Sequence, residues 1–157
     1  AAVDAVGRRV FVYLNDNHTV YRLDESGGFA VAASALVTPG ADASSGYSLD
    51  GIYFSPSLGK LFAFDQILDP DSLQVVGTLS GVHRVVGEGG GLLYAQRHEA
   101  GGNEVLVTID VATLIVKEET VLQTTDVMGS YVSFDHERNR MAFTDPARSL
   151  VSIRDLK

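Results

Sequence analysis

The segment FDHERNRMAFTD, residues 134–145, holds the densest group of side chains that could do chemistry. It brings Asp135, His136, Glu137 and Asp145 into one short stretch, with Arg138 and Arg140 among them. Carboxylates and imidazoles act as general acids and bases and also bind metals. Catalysis or metal binding is therefore one hypothesis for this segment. The alternative is that it forms the turn of a repeated structural unit.

Other catalytic signals in the sequence are weak. His98-Glu99, within QRHEAGGNE, resembles half of a helical zinc motif, but the second histidine is missing and the context is a glycine-rich hairpin. The glycines at positions 87 and 89–91 do not have the spacing of a phosphate-binding loop, and no Gly-x-Ser-x-Gly motif occurs. The chain has no cysteine, which excludes disulfides, thiolate metal sites and a cysteine nucleophile.

An internal repeat is the strongest pattern in the chain. Four segments align: VDAVGRRVFV from Val3, FSPSLGKLFA from Phe54, VGEGGGLLYA from Val86 and FDHERNRMAF from Phe134. Each opens with a large apolar residue, continues with a small or acidic one, and reaches an aliphatic residue that begins a strand: Val10, Leu61, Leu93 and Met141. The polar or glycine-rich stretch between them predicts a tight hairpin with one residue at positive φ. His136, Glu137 and Arg138 fall in that turn, which favours a solvated hairpin over a catalytic cluster.

A second repeated element follows each of these strands and contains an aspartate. The four aspartates are Asp24, Asp69, Asp110 and Asp155, and Asp69-Pro-Asp-Ser-Leu closely matches Asp110-Val-Ala-Thr-Leu. Repetition suggests a metal ligand, but an aspartate at the end of a strand commonly accepts hydrogen bonds from the turn that follows. We therefore predict turn chemistry for these residues.

Together the two elements predict an all-β chain of antiparallel four-stranded units, with approximate limits 1–38, 46–80, 81–124 and 129–157. Units of this kind are the blades of β-propellers. The pattern resembles the degenerate blades of YVTN, NHL and quinoprotein-like propellers over essentially the whole chain. A β-sandwich or β-barrel with similarly spaced strands is the alternative.

The resemblance implies a single propeller-like domain or half-propeller of about 3.5–4 blades, because the fourth unit reaches Lys157 after its third strand. An open blade leaves strand edges and apolar faces exposed. We therefore expect another copy, a companion chain or further blades of a longer protein to complete the ring.

The propeller interpretation also predicts a polar pocket where loops reach the central channel. Its candidate ligand-binding residues are Tyr47, Asp50, His83, Arg84, Ser130 and Tyr131. His83 could serve as a ligand or base. A completed pocket could hold Ca²⁺, although Asp50 is the one carboxylate among the six. No catalytic residue or cofactor is assigned.

Composition restricts the partners. A net charge of −8 without a Lys/Arg cluster argues against nucleic-acid binding, and no apolar run is long enough to span a membrane. We favour a secreted or periplasmic location. The predicted function is a non-catalytic module that binds protein or carbohydrate. The alternatives are a metal-dependent hydrolase, lyase or quinoprotein-like propeller enzyme with a central pocket, and a structural β-domain of a surface assembly.

Overall fold

The computed structural model describes residues 1–38, 51–99, 103–124, 132–135, 138, 140–145 and 150–155. These residues form four antiparallel sheets. Two single-turn 3₁₀ helices, Asn15–Asn17 and Glu25–Gly27, lie in the first. No helix in the described part of the chain is long and apolar enough to cross a membrane.

Each sheet is built from strands that are consecutive in the sequence. Sheet 1 contains β1 (Ala2–Asp4), β2 (Arg9–Leu14), β3 (Thr19–Asp24) and β4 (Ala30–Leu36). Sheet 2 contains β5 (Ile52–Ser55), β6 (Lys60–Ala63), β7 (Gln66–Leu68) and β8 (Val75–Thr78). Sheet 3 contains β9 (Arg84–Gly89), β10 (Leu92–His98), β11 (Asn103–Asp110) and β12 (Val116–Thr124). Sheet 4 contains β13 (Val132–Asp135), β14 (Arg140–Asp145) and β15 (Leu150–Asp155).

The all-β prediction is confirmed, and three of the sheets have the four-stranded antiparallel order of a propeller blade. Sheet 4 has three strands among the described residues. The chain divides into two compact units, Ala1–Val85 with sheets 1 and 2, and Val86–Lys157 with sheet 4 and most of sheet 3. The residue limits of the four sequence repeats stay a prediction.

The first hairpin of a sheet repeats the same backbone pairing in three of the four sheets. Val3 pairs with Val10, Phe54 with Leu61 and Phe134 with Met141. The side chain of the residue after the first partner accepts a hydrogen bond from the backbone N–H three positions further along the chain. The Gly7 N–H donates to Asp4 (2.8 Å), the Leu58 N–H to the Ser55 hydroxyl (3.2 Å) and the Arg138 N–H to Asp135 (3.2 Å). Residues 134–145 therefore contain a hairpin, and Asp135 stabilises its turn. His136 and Glu137 lie outside the described residues.

The hairpin of sheet 3 departs from the predicted alignment. Only Gly90 and Gly91 separate β9 from β10, and both have positive φ, at 60° and 80°. Two such residues form a tight two-residue turn that glycine adopts without strain. The corresponding turns of sheets 1 and 2 are longer, and their positive-φ residues are Arg8 and Gly59.

The repeated aspartates act in turns, as predicted, at two of the four positions. Asp69 Oδ1 accepts hydrogen bonds from the N–H groups of Asp71 (3.1 Å) and Ser72 (3.0 Å). Asp110 Oδ1 accepts from the N–H (3.0 Å) and hydroxyl (2.9 Å) of Thr113. In sheets 1 and 4 the aspartate pairs with arginine instead: Asp24 with Arg22 (3.0 Å) and Asp155 with Arg140 (2.6 Å).

The repeated aspartate distinguishes the two faces of each sheet. We call the face that carries this aspartate the forward face and the opposite face the rear face. Directly paired residues in an antiparallel sheet point to the same side, and sides alternate along a strand. By that register the forward face of sheet 1 includes Ala2, Phe11 and Val20. The rear face of sheet 2 includes Phe54, Leu61 and Leu68.

The core of the first unit forms where these two faces meet. Phe11, Val20, Leu61 and Leu68 are fully buried in one cluster. The rings of Phe11 and Phe54 stack with centroids 6.0 Å apart. In the second unit, Tyr94 and Leu106 on the forward face of sheet 3 pack against Met141 on the rear face of sheet 4. Both units therefore pack a forward face on the rear face of the next sheet.

We predict that Leu61→Ala lowers the free energy of unfolding by about 3 kcal/mol, because Leu61 is fully buried and its truncation leaves a cavity. Val6→Ala, at a side chain 94% exposed, should change it by less than about 0.5 kcal/mol. Urea unfolding followed by circular dichroism measures both. Equal effects would contradict this description of the core.

We also predict that Asp69→Ala destabilises the protein by about 1 kcal/mol, since the turn loses its hydrogen-bond acceptor. Asp69→Asn keeps an acceptor oxygen and should recover most of that loss in the same urea experiment. If Asn is as damaging as Ala, the carboxylate charge matters more than the turn.

Candidate functional site

A polar cleft of about 530 Å³ lies in the first unit, at the edge where turns of sheets 1 and 2 come together. It is lined by the β1–β2 turn, by β3 and the turn after it, and by the β7–β8 turn. The side chains that decide its chemistry are Arg8, Arg9, Arg22, Asp24, Glu25 and Asp71. Cationic groups of this kind could bind an anion, so their existing partners are the central question.

Arg9 is held between two carboxylates. It donates from Nε (3.0 Å) and Nη2 (2.6 Å) to Asp4 Oδ2, and from Nη1 to Asp71 Oδ1. Asp4 is 3% exposed, and its other oxygen accepts the Gly7 N–H. A methyl group at position 7 would overlap this carboxylate, so the pairing requires glycine there. Charge-assisted bonds in such a shielded position are stronger than those at an open surface.

Arg22 forms a second link between the two sheets. Its Nη1 donates to the backbone carbonyl of Asp71, and its Nε lies 3.0 Å from Asp24 Oδ1. The side chains of Arg9 and Arg22 are each 16% exposed. Arg9 therefore holds the β7–β8 turn of sheet 2 through the Asp71 side chain, and Arg22 holds the same turn through the Asp71 backbone.

Arg8 completes the cleft with a surface pair. Its Nε and Nη2 each donate to Glu25 at 2.6 Å, across two turns of sheet 1. The Glu25 hydrogen bonds raise the pKa of Arg8, and the Arg8 hydrogen bonds lower the pKa of Glu25. These side chains are 71% and 41% exposed, so solvent screens the interaction.

All three guanidinium groups of the cleft are thus bonded to carboxylates of the same chain. Asp4, Asp24, Glu25 and Asp71 neutralise them. An entering anion would have to displace these partners and face their negative charge. The arrangement is suited to joining sheets 1 and 2, and it provides no unoccupied cation for a substrate.

The predicted channel pocket is described at two of its six residues. His83 precedes β9 and Arg84 begins it, and both are half-buried. Tyr47, Asp50, Ser130 and Tyr131 lie outside the described residues. Their convergence, and with it the calcium hypothesis, stays a prediction. In the described ranges no group of three or more His, Asp or Glu side chains is placed to hold a metal ion.

His98 and Glu99 have structural partners in sheet 3. His98 ends strand β10, and its Nδ1 lies 3.2 Å from Glu104 Oε1. Glu99 accepts a 2.8 Å hydrogen bond from Arg97, which also pairs with Glu119. A strand cannot present the two ligands one turn apart that a helical zinc motif requires. This geometry is that of a strand and not of a helical zinc motif.

Sequence patterns alone do not reveal the link between Arg9 and Asp71. One signal was available in the alternation of side chains. Arg9 and Arg22 occupy forward-face positions in neighbouring strands, because Phe11 pairs with Arg22 and Arg9 with Asp24. Asp71 is a long way along the chain, and only folding brings it to them.

The pH dependence of stability tests the role of Asp4. Burial by itself would raise the pKa of this carboxyl, but the Gly7 N–H and the Arg9 guanidinium outweigh it and hold the pKa below its ordinary value of 3.8. The unfolded chain then binds the proton more readily, so stability rises with pH in this range. The contribution is complete above roughly pH 5 and is lost as the pH falls through the lowered pKa.

Accordingly, Asp4→Asn should reduce the free energy of unfolding by about 2 kcal/mol at pH 7, and by much less near pH 2. Asp16→Asn, at an exposed aspartate of the first 3₁₀ helix, is the matched control and should change the free energy of unfolding at pH 7 by less than about 0.5 kcal/mol. Urea titrations at several pH values provide the measurement. A loss that is the same at every pH would show that Asp4 acts by shape and not by charge.

Comparison with protein-family models finds no match, and a search of curated proteins finds no related sequence. The blade-like sheets therefore rest on this chain's own repeat and register, and the likeness to YVTN, NHL and quinoprotein-like blades carries no support from relatives.

Proposed function

We propose that this chain is a non-catalytic interaction module, built from propeller-like blades of the YVTN, NHL or quinoprotein-like type, that binds another polypeptide through open sheet faces. The observation that carries this proposal is the exposure of apolar side chains on one face of sheet 1 and one face of sheet 4. On the rear face of sheet 1, Val3, Val31 and Leu36 are 62%, 59% and 77% exposed. On sheet 4, Val151 and Ile153 are each 67% exposed on the forward face.

The exposure of Val3 and Val151 is informative because their counterparts in other sheets are buried, whereas Val31 and Leu36 have exposed counterparts in Val116 and Val121 of sheet 3. Phe54 on the rear face of sheet 2 aligns with Val3, and Leu106 on the forward face of sheet 3 aligns with Val151. Phe54 is 8% and Leu106 is 4% exposed. Large exposed apolar patches generally mark an interaction surface.

The polar cleft supports binding over catalysis for a complementary reason. A catalytic group must be held near a substrate in a reactive state, with its hydrogen-bonding capacity directed at the reacting atoms. The arginines of the cleft are committed to Asp4, Asp24, Glu25 and Asp71, and the carboxylates are committed to the arginines. In this proposal the residues of the cleft serve to join sheet 1 to sheet 2.

Site-specific photo-crosslinking tests the proposal in the cells that make the protein. We expect p-benzoylphenylalanine at Leu36 or Ile153 to form a discrete adduct with a polypeptide. At Val76, an exposed bulge residue of β8, no adduct should form. Mass spectrometry of the adducts identifies the crosslinked chain and position. Failure of both test positions to yield a polypeptide adduct would overturn the proposal.

A further inference from the structure

We draw no further inference here: the strongest candidate, the open apolar patch around Val3, Val31 and Leu36 on the rear face of sheet 1, rests on exposure alone, since apolar side chains on the rear face of sheet 3 are exposed in the same way and nothing in the structure shows what covers it.

Discussion

The sheets of this protein are apolar on both faces, and that constraint governs the rest of the structure. A sheet with one apolar face can turn the other to water, whereas these need a neighbour on each side. In sheet 1 the forward face contributes Phe11 and Val20 to the core, while Val3 and Val31 lie on the rear. Within each unit, the forward face of one sheet and the rear face of the next satisfy the requirement for each other.

Polar residues serve this packing by fixing where each sheet and turn must lie. Asp4 and Ser55 accept the N–H of the hairpin turn, and Asp69 and Asp110 do the same for a later turn. Arg9 then connects the Asp4 turn of one sheet with Asp71 of the next. These carboxylates and Arg9 thus have partners that explain their presence structurally. A carboxylate is useful in a turn because it satisfies backbone donors that would otherwise be unpaired.

The repeat is the part of the fold that local sequence predicts well. The pairings Val3–Val10, Phe54–Leu61 and Phe134–Met141 follow from one alignment, because a hairpin of given length sets its own register. The prediction is less accurate for sheet 3, where two glycines close a shorter turn than the alignment assumes. The cleft was not predicted, since its Arg9–Asp71 and Arg22–Asp71 links join residues that no local pattern relates.

The sequence by itself predicted the antiparallel strands and their order within each unit, because turn chemistry and the spacing of apolar residues act over a few residues. It also predicted that Asp135 lies in a hairpin turn, through the comparison with Asp4 and Ser55. Only the tertiary structure decided which faces are covered. Val20 and Val151 occupy equivalent register positions, yet one is fully buried and the other is 67% exposed. Burial depends on which sheet lies opposite, and that is a property of the folded chain and not of the residue.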